Sequence, residues 1–206
     1  MKLLRIYHKI ILLFFICIFI ASYVFADDLS PSEDIVDISE ILNDIQTIET
    51  NSDSIQMPTI NSRAYVVIDR KSNTILVGKN ENQKKKMAST TKIMTALVVI
   101  EHTDLSDMVE ISKKAANTGG SRLGLKTGDK ITVSDLLYGL MMRSGNDAAV
   151  ALAEHVAGSI TDFANLMNEK AKNLGLSSTH FVTPHGLDED EHYTTAYELA
   201  LLSNYA

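Results

Sequence analysis

The chain has 206 residues, 45% of them hydrophobic and 22% charged, with a net charge of −7. That is enough apolar material for one domain with a sizeable core plus appendages, and it excludes a disordered chain. Residues 63–206 carry 16 cations against 17 anions, so the folded part is nearly neutral and lacks the basic footprint that nucleic-acid binding requires.

At the N-terminus, Lys2, Arg5 and Lys9 precede an apolar run from Ile10 to Ile20, and Val24-Phe25-Ala26 offers small residues at cleavage-site spacing. Residues 1–26 therefore read as a secretory signal peptide, and the protein is expected to be exported: secreted, or peripheral at the outer face of the cytoplasmic membrane. The run is short against the roughly 20 residues of a bilayer span, although counting on to Phe25 leaves an uncleaved anchor as the alternative. Cys17, the only cysteine, lies inside this run, so the mature chain is expected to have no thiol. Bulky Phe14-Phe15-Ile16 before it argues against lipid attachment.

Residues 27–62 hold nine acids and no Lys or Arg. They read as a solvated linker; Ile35, Ile38, Ile41, Ile45 and Ile48 lie near helical spacing, which keeps an amphipathic helix as the alternative. From Arg63 the pattern turns to β. Ala64–Asp69 and Thr74–Gly78 are β-branched runs around Arg70-Lys71-Ser72-Asn73, a hairpin with a polar turn. Lys84-Lys85-Lys86 reads as a solvated loop. Ile93 to Ile100 is apolar on nearly every helical face, which predicts a buried helix.

Met108–Ile111 and Lys130–Val133 are short strand candidates around a glycine-rich loop. Thr132 or Ser134 then caps an amphipathic helix through Leu136, Leu137, Leu140 and Met141, which Arg143-Ser144-Gly145-Asn146 interrupts. Further helices are predicted over Asp147–Ala157, stopping at Gly158, and Thr161–Asn173, stopping at Gly175. Thr195 and Glu198 form a capping-box pattern that opens a last helix.

Two motifs carry chemistry. Ser89-Thr90-Thr91-Lys92 places a serine and a lysine three apart, on one helical face with about 5–6 Å between side chains. A serine hydroxyl needs a neighbouring base to become a nucleophile, and a desolvated lysine can serve. A helix start also favours developing negative charge, and the backbone N–H of Ser89 is placed to meet an oxyanion. With 18 Ser and 14 Lys in the chain, such a tetrapeptide arises by chance about once, and a lysine in a first turn can simply snorkel to water. Ser144-Gly145-Asn146, between two helices, can point a hydroxyl and an amide into one cleft, or be an ordinary turn.

Other patterns are weaker. Gly119–Thr127 approaches a phosphate-binding loop, but Leu125 intrudes between glycine and lysine. His180, His185 and His192, with Asp188 to Glu191 between them, match no zinc or calcium spacing and read as a solvated loop. The methionines Met87, Met94, Met108, Met141, Met142 and Met167 read as core filling.

Met87–Ala96, Leu136–Ala149 and Thr179–Asp188 together resemble the serine D-alanyl-D-alanine carboxypeptidases, the low-molecular-mass penicillin-binding proteins (peptidase family S11), over residues 63–206 and in the same order. The resemblance implies a mixed α/β (α+β) fold of the β-lactamase and penicillin-binding-protein type: an antiparallel sheet packed on helices, with a helical subdomain. It makes Ser89 the acyl-enzyme nucleophile, Lys92 its general base, Ser144 a proton relay and Asn146 a contact to substrate and Lys92. The implied partners are peptidoglycan stem peptides, which lose a terminal D-alanine, and β-lactams, which acylate the same serine; no metal or organic cofactor is implied.

That family carries a third motif, Lys-Thr-Gly or a close variant, well downstream of Ser-Gly-Asn. Here Lys126-Thr127-Gly128 precedes Ser144, in the wrong order, and reads as a decoy. The domain is therefore expected to be incomplete at Ala206, with C-terminal strands missing, an unpaired sheet edge and impaired turnover. The alternatives are a non-catalytic remnant or peptidoglycan-binding relative and, less favoured, a serine β-lactamase, for which no Glu-x-x-Leu-Asn string follows Asn146.

Overall fold

A computed structural model describes residues 59–206 apart from Asp188. The signal and nearly all of the acidic segment lie outside the described residues. The hairpin forms as its composition requires. Strand β1 (Tyr65–Ile68) pairs antiparallel with β2 (Ile75–Lys79), Tyr65 opposite Lys79 and Val67 opposite Val77. Asp69 organises the turn between them, its Oδ1 accepting the backbone N–H groups of Lys71 and Ser72 at 3.2 and 2.8 Å.

After a 3-10 turn, Ala88–Thr91, comes helix α1 (Lys92–His102). Strand β3 (Met108–Glu110) pairs antiparallel with β4 (Lys130–Thr132), separate from the first hairpin, with a short helix α2 (Lys113–Ala116) in the intervening loop. Thr132, rather than Ser134, caps α3 (Val133–Arg143) by accepting from Asp135 N–H at 3.1 Å. Then follow α4 (Asn146–Ala157), α5 (Ile160–Asn173) and α6 (Ala196–Tyr205), the first closed by Gly158 in the left-handed conformation.

The core lies where α1 meets α3, α4 and α5. Met94, Val98 and Val99 of α1 meet Leu136, Leu140, Leu152, Phe163 and Met167, all essentially without exposure. Helix α4 is sunk deepest because Ala148, Ala149, Ala151 and Ala153 keep its surface thin, so neighbouring backbones approach closely. Its first eight residues are all buried. That depth fixes where its N-terminal Asn146 sits.

Several expectations are corrected. Helix α1 is not buried all round: Ile100 is 57% exposed. Lys85 leaves its charged run to bridge Thr194 through backbone bonds of 2.8 and 3.0 Å. Met87, Met94 and Met167 are core, but Met108, Met141 and Met142 are exposed. The capping box is half made, because the Glu198 carboxylate turns away to accept Ser178 N–H and the Thr179 hydroxyl. His185 and His192 are buried rather than solvated; among the described residues no cluster of three or more His, Cys, Asp or Glu could hold a metal.

Candidate active site

Ser89 stands on a strained turn. Ala88 before it has φ 47°, a left-handed conformation that costs a residue with a Cβ on the order of 1–2 kcal/mol and persists only where its surroundings over-determine it. Here Thr90 Oγ1 donates to the Met87 carbonyl at 2.5 Å and Thr91 Oγ1 to the Ala88 carbonyl at 2.8 Å. The α-helix proper starts only at Lys92, so Ser89 precedes it on the 3-10 turn instead of opening it. Ser89 is exposed while Lys92, three residues on, is 3% exposed.

The lysine does not snorkel. Its Nζ donates to Ser89 Oγ at 3.2 Å, Asn146 Oδ1 at 2.8 Å and the His185 carbonyl at 2.9 Å. Three acceptors match the three protons of an ammonium. No carboxylate is among them, and burial pulls its pKa down to about 8. Asn146 Oδ1 and the His185 carbonyl can only accept, so on deprotonation Lys92 keeps its two N–H bonds there. The lone pair is left facing Ser89, as a base for its hydroxyl must be.

Asn146 is oriented without ambiguity. Its Nδ2 donates to the Gly119 carbonyl at 2.8 Å, which forces Oδ1 toward Lys92. Its own N–H donates to the Ser121 carbonyl at 2.8 Å. Ser144 closes α3 at φ 55°, ψ 37°, a left-handed cap usually filled by glycine, and sets its Oγ 2.9 Å from Ser89 Oγ. All four residues singled out in the sequence thus form one connected hydrogen-bonded network.

Sequence reasoning missed the supports. Asp147 is fully buried and its carboxylate accepts the N–H groups of Leu123, Gly124 and Leu125 at 2.9–3.1 Å, pinning the loop whose carbonyls hold Asn146. Its place in the first turn of a helix was a usable signal. The His185 carbonyl left none, since any residue has one. Burial, then the charge of Lys92 and then His192, lower the His185 pKa to about 4, so its ring stays neutral beside the lysine. Lys126–Gly128 is a turn into β4, bonded to Asp129 and Ile111.

A family model, peptidase S11 (D-alanyl-D-alanine carboxypeptidase), matches residues 51–206. The chain belongs to that family. This carboxypeptidase-family chain is 43% identical over 147 residues to D-alanyl-D-alanine carboxypeptidase DacF of Bacillus subtilis, covering 69% of this chain and 38% of that protein. It is 42% identical over 160 residues to DacC of Escherichia coli, covering 72% and 40%. It therefore spans about two fifths of the length of these relatives. Among solved structures it is similar to the carboxypeptidase DacD of Francisella tularensis (TM-score 0.69, 40% identity, 72% of this chain and 37% of that one). Penicillin binding protein 6B of Escherichia coli is similar too (TM-score 0.69, 39% identity, 75% and 52%). The fold is the mixed α/β fold of these proteins.

Proposed function

We propose that this chain carries the nucleophile and base of a serine D-Ala-D-Ala carboxypeptidase acting on peptidoglycan stem peptides. The observation that carries the reading is the arrangement of Lys92, whose two fixed acceptors direct its third position at Ser89 Oγ. Neutral Lys92 takes the Ser89 proton as Oγ attacks the penultimate D-alanine carbonyl. Ser144, 2.9 Å from Ser89, relays a proton to the departing nitrogen, and terminal D-alanine leaves. Water then hydrolyses the ester on Ser89 and restores the hydroxyl. β-Lactams acylate the same oxygen. The substrate is extracytoplasmic, in keeping with the export signal read in residues 1–26.

Incubation with a fluorescent penicillin, followed by mass spectrometry of the peptide bearing Ser89, tests this directly. An adduct accumulates even where turnover is slow, so it is the decisive readout. We expect an adduct on Ser89 that Ser89→Ala abolishes, together with D-alanine release from an acyl-D-Ala-D-Ala peptide. A folded chain that forms no adduct would sink the proposal in favour of a non-catalytic peptidoglycan-binding relative, and rapid cephalosporin turnover would favour a β-lactamase.

A further inference from the structure

His192 lies 103 residues beyond Ser89 in the sequence and touches neither Ser89 nor Lys92 in any described hydrogen bond, yet it is 3% exposed and joins the two backbone segments that place them. Its Nδ1 accepts the N–H groups of Val182 and Thr183 at 2.9 and 3.4 Å. A nitrogen that accepts carries no proton, so the ring proton is on Nε2. Nε2 faces Thr91 Oγ1 at 2.8 Å and donates to it. Thr91 spends its own hydroxyl proton on the Ala88 carbonyl at 2.8 Å. Each link has one direction, and the last acceptor is the strained residue that precedes Ser89.

The other end of the chain is equally placed. Val182 and Thr183 begin a strap whose next two carbonyls serve α1: Pro184 accepts from Thr95 Oγ1 at 2.6 Å and His185 from Lys92 Nζ at 2.9 Å. The strap lies hard against the turn, because a Cβ on Gly186 would fall 1.9 Å from the Ala88 carbonyl oxygen. Phe181 packs edge-on against the imidazole, ring centres 5.9 Å apart, and keeps it from swinging away.

We propose that His192 is a positioning residue, which through Thr91 locks the turn carrying Ser89 to the strap carrying the His185 carbonyl, and so sets the separation of Ser89 Oγ from Lys92 Nζ. This rests on the reading of Ser89 and Lys92 as nucleophile and base. Displacement of a reacting group by about 1 Å can cost on the order of 100-fold, so the lock is expected to act on acylation rather than on ligand binding.

The test uses the full chain with Thr91→Val, Thr91→Ser, His192→Gln, His192→Phe and the double variant T91V/H192F, each confirmed folded by circular dichroism. Acylation by a fluorescent penicillin is resolved into its binding and chemical steps, and Lys92 is titrated through its 13Cε resonance. We expect the chemical step to slow roughly 10- to 100-fold in Thr91→Val and His192→Phe, with binding unchanged. The double variant should be no slower than the worse single one, because both break one chain. Thr91→Ser, which keeps the hydroxyl, and His192→Gln, which can accept and donate at similar positions, should recover most of the rate. Rates in folded variants within about twofold of the parent, or losses that multiply in the double variant, overturn the proposal. If the parent forms no adduct, the functional reading fails, and the lock is judged by Lys92 alone: its titration midpoint climbs in His192→Phe if the strap is released and stays in place if it is not.

Discussion

Lys92 Nζ lies 2.8 Å from Asn146 Oδ1, and the amide cannot turn over because its other end is held by the Gly119 carbonyl. A neutral acceptor therefore meets the ammonium where many buried lysines meet a carboxylate. This leaves the lysine held in place without an ion pair to keep it charged.

Asn146→Asp should undo that arrangement. A carboxylate at 2.8 Å would stabilise the ammonium and raise the Lys92 pKa, while its second oxygen would repel the Gly119 carbonyl that now accepts from the amide NH2. We expect acylation at neutral pH to fall by about 100-fold, on the scale of a general base lost to protonation, with the Lys92 midpoint moved up in an NMR titration. An unchanged midpoint would show that a neutral partner in place of a carboxylate at this position is not needed to hold the Lys92 value low.

The pH dependence of acylation has a definite sign. Lys92 titrates at about 8 because burial disfavours its charge, and only the neutral amine takes a proton. The acylation rate should rise tenfold per unit below that value and level off above it. A rate constant flat from pH 6 to 9 would exclude Lys92 as the base.

Stability should respond on the acid side through His185. Its folded value of about 4 lies below the ordinary histidine value of about 6.5, so between these the unfolded chain binds more protons. The stability due to the neutral ring is complete above pH 6.5 and is lost as pH falls to about 4, on the order of 2–3 kcal/mol. Urea denaturation at pH 7 and pH 4.5 should show a smaller drop for His185→Gln than for the parent.

Asp147→Asn removes a buried carboxylate that accepts from four backbone N–H groups, those of Leu123, Gly124, Leu125 and Ala148. An amide offers one acceptor oxygen and turns an NH2 toward the remaining donors. We expect a loss of about 2–4 kcal/mol in denaturant unfolding, from buried groups left unpaired, and slower acylation in the folded fraction because the loop that holds Asn146 loosens.

Gly186 and Gly158 separate steric contact from backbone strain. Both have positive φ, 81° and 77°. A Cβ at Gly158 meets nothing within 4 Å, whereas one at Gly186 collides with the Ala88 carbonyl. Gly158→Ala should cost about 1 kcal/mol, the conformational penalty alone. Gly186→Ala should cost clearly more and abolish acylation; equal thermal melts for the two would show that the strap can yield.

Local chemistry was legible in the sequence wherever neighbours along the chain decide the outcome. The hairpin over Tyr65–Lys79, the helices ending at Gly158 and Gly175 and the Thr195 cap follow from β-branching, apolar period and side-chain capping. The proposed reactive pair was legible because three residues of separation suffice to join Ser89 and Lys92. Periodicity misjudged the exposure of Ile100, Met141 and Met142, since which face is covered depends on helices far along the chain.

The tertiary structure alone decided what Lys92 is. Its isolation from carboxylates and the direction of its lone pair come from Asn146, 54 residues on, and from a backbone carbonyl at His185, 93 residues on, while its depressed pKa comes from burial. Carbonyls are the same in every residue, so a sequence cannot mark which ones a fold will aim at a buried amine. The proposed nucleophile and its base lie within four consecutive residues, whereas the desolvation and geometry expected to make them reactive exist only once the strap and α4 close around them.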